Sequence, residues 1–300
     1  MIACDLGSNT LRIVELECHT FKRIKAYEKV VRTAKDLHLT HRIGEEAQSN
    51  IMNALKEASQ LFDFKQQNIK CVTTEAMRRA NNATEVLACI KHHYGLSFEI
   101  ISGEEEAHFT SLAIEHALKR EGRPASTYVL FDLGGGSTEI ILCNNGNKIS
   151  KSFSFGIVSA AEQWGENKNV LESIPDMMDD FLQTNTPIAT TYQQLIATAG
   201  TPTTVASFLQ GQDYAHYDYK TINGTSLHVS DFDEALSKLL SMSKEEAEHY
   251  TGTNRRDLVL VGITLVKAIM AKLGFDACIV MDDGLREGVA ISNCNKPVSS

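Results

Sequence analysis

Two short segments of the chain carry the same chemistry. Asp5-Leu6-Gly7-Ser8-Asn9-Thr10 and Asp132-Leu133-Gly134-Gly135-Gly136-Ser137-Thr138 each set a carboxylate, glycine and hydroxyls between two apolar runs. That pattern predicts strand, glycine turn, strand. Such a turn aims backbone N–H groups and hydroxyls at one spot with a carboxylate beside it, which suits a phosphate and a divalent metal. Gly7, Gly134, Gly135 and Gly136 permit positive φ and close backbone approach. Ser8, Thr10, Ser137 and Thr138 add hydroxyl donors. Two copies predict two similar domains facing one phosphate-bearing ligand.

Further candidates follow at other predicted strand ends. Ser102-Gly103-Glu104-Glu105-Glu106-Ala107 opens a helix with three carboxylates, more than a cap requires. One of them, aimed at the same cleft as Asp5 and Asp132, is a candidate base. Composition alone leaves open which one. Glu139 follows the Asp132 turn, and the two carboxylates could share a Mg²⁺ ion. Arg78 follows a strand at a helix start and is shaped for phosphate oxygens. Arg32 and Arg286 are weaker candidates on the same logic. Gly200-Thr201 precedes Pro202 at a predicted first helical turn, where anions bind. The ten histidines show no zinc-binding spacing, and there is no Walker A motif.

The elements that must hold these residues alternate between strand and helix. Strands are predicted at 2–5, 11–17, 23–31, 69–74 and 97–101, with helices over 45–62 and 84–93 and from 104. The second half replays this order: strands at 128–131, 139–143 and 149–155, a helical stretch over 159–182 broken near Pro175, and a strand at 195–199. Residues 211–230 read as an inserted loop. Helices over 231–242 and 256–273, a strand at 277–280 and a last helix from 285 follow. The Asp5 turn matches the Asp132 turn, 73–78 matches 199–204, and 102–104 matches 282–284. Three matches in register predict a duplicated unit, and ligands in such sheets gather at the carboxyl ends of the strands.

Composition sets limits. With 43% hydrophobic and 22% charged residues the chain reads as an ordinary globular protein. A net charge of −9 argues against a general nucleic-acid binder. No apolar run reaches membrane-spanning length, and the first strand starts at Ile2, which predicts no signal peptide. The seven cysteines show no CxxC spacing and mostly lie in apolar runs, so they are expected to be reduced core residues of a cytoplasmic protein.

With these residues assembled, the chain resembles the exopolyphosphatase and guanosine pentaphosphate phosphatase family of the actin–hexokinase–heat-shock-protein superfamily. The resemblance lies in DLGSNT (5–10), TTEAMRRA (73–80), EIISGEEEA (99–107), FDLGGGSTE (131–139), FGIVS (155–159), ATAGTPTTVA (197–206) and DDGLREGV (282–289). It implies an α/β fold of duplicated ribonuclease-H-like (actin-like ATPase) domains with an interdomain cleft. The domains are expected at 1–122 and 123–286, with the last helix, about 287–300, packing back on the first. The implied activity is release of the terminal phosphate from linear polyphosphate or of the 5′ γ-phosphate from guanosine pentaphosphate. The implied cofactor is Mg²⁺; another divalent ion, or a monovalent cation such as K⁺, is compatible. On the motifs, the catalytic glutamate falls on Glu106 and the metal-associated acids on Asp132 and Glu139, with Asp5 nearby. The phosphate-binding positions fall on Gly7, Ser8, Asn9 and Thr10, on Gly134, Gly135, Gly136, Ser137 and Thr138, and on Gly200, Thr201 and Arg78. The resemblance is to the short, two-domain form, and a homodimer is compatible with it. The alternatives are an ATP-dependent small-molecule kinase of the same superfamily and a non-catalytic sensor of guanosine penta- or tetraphosphate.

Overall fold

The computed structural model describes residues 1–65, 68–165, 167–185 and 191–294. Residue 166 of the expected 159–182 helical stretch and residues 295–300 of the expected last helix lie outside these. The chain divides into two compact units, Met1–Ala113 with Asp283–Ser300, and Ile114–Asp282.

The first unit is built on five strands, β1 (Ile2–Leu6), β2 (Thr10–Leu16), β3 (Arg23–Val30), β4 (Ile69–Thr73) and β5 (Phe98–Ile100). Their order is β3-β2-β1-β4-β5. β1, β2 and β3 pair antiparallel, and β1, β4 and β5 pair parallel. β1 is central and buried along its whole length, whereas β2 largely alternates buried with half-buried residues. Parallel pairing needs crossovers. Helices Glu45–Ala58 and Ala83–Tyr94 supply them. The first buries Ala47, Ile51, Ala54, Leu55 and Ala58, a stripe at helical spacing. It stops at Ala58 rather than residue 62, because the chain turns there and buries Phe62 while Leu61 stays exposed.

The second unit carries β6 (Thr127–Leu133), β7 (Thr138–Asn144), β8 (Asn147–Phe153), β9 (Leu195–Thr198), β10 (Thr225–His228) and β11 (Ala277–Val280) in the order β10-β11-β9-β6-β7-β8. Read from the hairpin inward, β8-β7-β6-β9-β11 repeats β3-β2-β1-β4-β5. The extra strand β10 pairs antiparallel with β11 and comes from the 211–230 segment, as does the short helix Tyr219–Ile222. That segment is therefore more than a loop. Only Leu227 of β10 is buried, too little apolar pattern to betray a strand.

The last helix, Leu285–Cys294, belongs to the first unit. Leu285, Val289, Ala290 and Ile291 pack with Ala3, Val14, Leu16, Val72 and Ile101. Gly288 meets helix Gly103–Arg120 so closely that a Cβ would lie 1.8 Å from the Phe109 carbonyl oxygen. Glu287 is buried and accepts from Arg23 Nη2 at 2.8 Å, Arg286 Nε at 2.7 Å and the Gly284 N–H at 3.0 Å. Arg286, a weaker phosphate candidate from sequence, is thus engaged in a buried ion pair. Removing one partner of such a pair leaves a buried charge uncompensated.

The expectation of seven reduced cysteines is corrected. Cys18 and Cys294 form a disulfide that joins the turn after β2 to the end of the last helix. Cys4, Cys71, Cys143 and Cys278 are free and buried, and Cys89 is free and exposed. The pairing escaped the sequence because its partners are 276 residues apart and neither lies in an apolar run. A cross-link closing so long a loop restricts the unfolded chain, so Cys18→Ser or reduction with dithiothreitol should lower stability by about 2–5 kcal/mol. Thermal unfolding with and without reductant measures this, and superimposable curves would show that the link contributes nothing.

Candidate functional site

In the first unit the ends of β1, β4 and β5 lie side by side. Leu6 is opposite Thr73, and Thr73 opposite Ile100. The Thr73 hydroxyl donates to the Leu6 carbonyl at 2.6 Å, and the Ile101 N–H donates to the Thr73 carbonyl at 3.0 Å. The glycine turn, the helix Glu75–Arg79 and the helix Gly103–Arg120 therefore all leave from one sheet edge. The Gly7 N–H donates to the Thr10 carbonyl at 2.9 Å, closing the turn. Asp5, Ser8 and Asn9 are buried.

Residues 31–34 clasp this turn from outside. The N–H groups of Val31 and Arg32 donate to the Asn9 carbonyl at 2.8 and 2.9 Å, and that of Ala34 donates to the Ser8 carbonyl at 2.8 Å. Arg32 takes a left-handed φ of 54° to make this bend. Its neighbour Thr33 is fully buried, and neither its hydroxyl nor Asn9 Oδ1 has a hydrogen-bond partner. Buried polar atoms left so are rare and invite a ligand or water. Thr33 was missed from sequence because no motif marks it.

The three glutamates separate into different roles. The Glu105 carboxylate accepts from the Ser102 N–H at 2.8 Å while the Glu105 N–H donates to the Ser102 hydroxyl at 3.1 Å, a capping box. The Ser102 N–H accordingly holds the Glu105 carboxyl below its ordinary pKa. Glu104 is exposed, whereas Glu106 is 8% exposed. Glu106 Oε2 accepts from Arg78 Nη1 at 3.3 Å and Nη2 at 3.4 Å. Arg78 also donates to the Ile101 carbonyl at 2.6 Å and to Glu75 at 3.0 Å.

The second unit presents the matching edge. Asp132 is opposite Thr198 across the parallel pair, and the Met281 N–H donates to the Ala197 carbonyl at 3.0 Å. The Gly134 N–H donates to the Ser137 carbonyl at 3.0 Å, the same closure as in the first turn. Leu6 pairs with Leu11, and Leu133 with Thr138. Thr10 thus corresponds to Ser137 and Arg12 to Glu139. Asp132 and Glu139 face each other directly across the strands, on one side of the sheet. Glu139 is 1% exposed and accepts from the Ser152 hydroxyl at 2.7 Å. Like charges so placed cost stability unless a cation or proton accompanies them. Among the described residues no group of three or more His, Cys, Asp or Glu could hold a metal. A hard ion such as Mg²⁺, which takes one or two carboxylates and keeps several waters, fits the pair.

The glycines act by close approach. Neither Gly7 nor Gly134 has a left-handed φ, so of the two freedoms that glycine permits it is close approach that they use. The N–H groups of Ile157 and Val158 donate to the carbonyls of Gly134 and Gly135 at 3.0 and 2.8 Å, and the Thr138 hydroxyl donates to the Phe155 carbonyl at 2.7 Å. In a trans peptide the N–H points opposite to its carbonyl. The N–H groups of Gly135 and Gly136 therefore point away from helix Ile157–Trp164. A Cβ on Gly156 would lie 2.5 Å from the carbonyl carbon of Gly135. The Thr138 hydroxyl is committed to this packing. Thr201 is buried with Oγ1 directed at Gly262, so only its backbone could face a ligand. Helix Gly200–Leu209 is entered through Ala199 at φ 79°, ψ −174°, a conformation costly for any residue but glycine.

Comparison with known proteins shows the family. A family model described as the Ppx/GppA phosphatase family matches residues 12–296. The chain belongs to that family. It is 25% identical to exopolyphosphatase 2 of Mycobacterium tuberculosis, over 97% of each chain. It is 24% identical to a bifunctional 3-dehydroquinate synthase/phosphatase of Fusobacterium nucleatum, over 93% of this chain, and spans 44% of that protein's length. The crystal structure of the Aquifex aeolicus Ppx/GppA member superposes with a TM-score of 0.75 at 26% identity, over 99% of this chain and 98% of that one. The α/β fold with two actin-like domains is thereby established for this chain. Among the described residues no helix is long and apolar enough to cross a membrane.

Gly156 is the second residue that the sequence underrated, although FGIVS belongs to the resemblance. Overpacking against backbone typically costs 1–3 kcal/mol. Gly156→Ala should lower stability by about that much and disturb the Gly134 turn, whereas Gly44→Ala, with nothing within 4 Å of the added Cβ, should change little. Denaturant unfolding of the two variants makes the comparison, and equal effects would contradict the proposed close approach.

Proposed function

We propose that this protein is a phosphohydrolase that releases the terminal phosphate of linear polyphosphate. The observation that carries the reading is Glu106, a buried carboxylate held by an arginine at the same sheet edge as a glycine turn. The name of the Mycobacterium tuberculosis relative, exopolyphosphatase 2, supports the substrate class. Guanosine pentaphosphate offers the same kind of terminal anhydride and is the second substrate to test.

In this reading Glu106 accepts a hydrogen bond from water, orients it toward the terminal phosphorus and takes its proton. Arg78, a phosphate candidate from the sequence, instead donates to Glu75, Glu106 and the Ile101 carbonyl and keeps the carboxylate in place. Each unit offers its own donors to phosphate oxygens: the Gly7–Thr10 backbone N–H groups with the Ser8 and Thr10 hydroxyls and the Asn9 amide in the first, and the Gly134–Ser137 backbone N–H groups with the Ser137 hydroxyl in the second. The N–H groups at Gly200 and Thr201 add a helix N-terminus. Asp132 and Glu139, with Asp5 nearby on its own turn, are the acids that would hold Mg²⁺, which when bound neutralises charge on the phosphate oxygens. Positioning and charge stabilisation then account for most of the catalysis, as in other phosphoryl transfers.

A phosphate-release assay on short polyphosphate, long polyphosphate and guanosine pentaphosphate, with and without Mg²⁺, tests the reading. Glu106→Gln should retain polyphosphate binding and lose about 10²–10⁴-fold in kcat. Near-normal turnover in that variant rejects the role of Glu106, and an inactive wild-type enzyme on all three substrates rejects the function.

A further inference from the structure

Arg78 is shared between two carboxylates, and one of them has no part in the reaction so far. Glu75 Oε2 accepts from Arg78 Nε at 3.3 Å and from Nη2 at 3.0 Å. Its other oxygen, Oε1, lies 3.8 Å from Arg79 Nη1. Arg78 Nη1 donates to the Ile101 carbonyl at 2.6 Å. The contacts from Arg78 to Glu106 are longer, at 3.3 and 3.4 Å. The guanidinium is therefore anchored by Glu75 and the Ile101 carbonyl, and presents its remaining N–H groups to Glu106.

A Glu–Arg pair three residues apart on an exposed helix contributes only a few tenths of a kcal/mol and fixes little. This pair differs. The side chains of Glu75, Arg78 and Glu106 are 12%, 20% and 11% exposed, so all three sit largely out of solvent. The planar guanidinium also meets its partners in a fixed fork, so orienting one end orients the other. An arginine at this edge without Glu75 would have a second option, namely to turn toward an incoming polyanion.

We propose that Glu75 is a positioning residue: it ties Arg78 to Glu106 and keeps that guanidinium from being captured by the substrate phosphate. The proposal rests on the reading of Glu106 as the water-orienting carboxylate. Its kinetic signature separates it from a binding role. Loss of Glu75 disorders Glu106, which lowers kcat, and it frees Arg78 for the anion, which leaves KM unchanged or lower. Glu75→Asp keeps the charge and should recover part of the loss.

The test uses the full chain with short-chain polyphosphate as substrate. Glu75→Gln should lower kcat by about tenfold with no rise in KM. Wild-type kcat in that variant, or a loss carried by KM alone, overturns the proposal. A second measurement does not depend on turnover. In protein labelled with ¹³C at the glutamate carboxyl, the resonance missing from Glu106→Gln identifies Glu106. It should move in Glu75→Gln and return toward its wild-type position in Glu75→Asp. A resonance unmoved by Glu75→Gln overturns the proposal even if the wild-type enzyme releases no phosphate and the proposed function has failed.

Discussion

The register of two hairpins governs where every candidate group lies. In each, a single backbone hydrogen bond closes the glycine turn, from Gly7 to Thr10 and from Gly134 to Ser137. Side chains alternate faces along a strand, so a slip of one residue would send Asp5, Asp132 and Glu139 to the opposite side of their sheets. The turns are in turn fixed from outside. Residues 31–34 bond to the Ser8 and Asn9 carbonyls, and residues 157–158 bond to those of Gly134 and Gly135. Both clasps use up carbonyls and leave turn N–H groups directed elsewhere, which is what an anion requires.

The same register exposes how the two copies have diverged. Asp5 faces Arg12 where Asp132 faces Glu139. One copy therefore presents an acid beside a base, and the other presents two acids. Val72 lies opposite Asp5, and Thr198 lies opposite Asp132. Counting on from there, Glu75 and Arg78 correspond to Thr201 and Thr204. The pair that holds Glu106 thus has no charged equivalent in the second unit, where Thr201 is packed against Gly262 instead. A duplicated scaffold has been given carboxylate positioning on one side and a two-carboxylate pair on the other.

Most of the fold was legible because it is written in local pattern. Apolar runs gave the strands, helical spacing gave the long helices, and the repeated Asp-Leu-Gly gave the duplication. β10 was not legible, since one buried residue in four makes no period. The Cys18–Cys294 link was not legible either, since nothing local connects its ends. At the site, the sequence named the carboxylates but could not say which of Glu104, Glu105 and Glu106 turns inward. That depends on the capping box, which assigns Glu105 to the Ser102 N–H and so rotates Glu106 toward Arg78. Nor could the sequence say which freedom Gly134 uses, a left-handed bend or close approach; the need is for room, since a side chain there would meet the Ser137 carbonyl oxygen at 3.0 Å.

Closing the first unit requires the far end of the chain. Its sheet is complete by residue 100, yet one face is covered by Leu285, Val289, Ala290 and Ile291 of the last helix. That helix is held by side chains of three kinds: apolar packing on β1 and β2, the buried Glu287 carboxylate between Arg23 and Arg286, and the Cys294 sulfur. It also rests backbone to backbone on Phe109, less than one helical turn from Glu106. Bringing such distant segments together costs loop-closure entropy, which these contacts must offset. The helix that carries Glu106 therefore draws part of its support from residues that follow the second unit in sequence. Apolar contacts alone would permit the last helix to slide along the sheet. The buried ion pair and the glycine contact at Gly288 admit one register, and through Phe109 that register reaches the carboxylate on which the proposed chemistry depends.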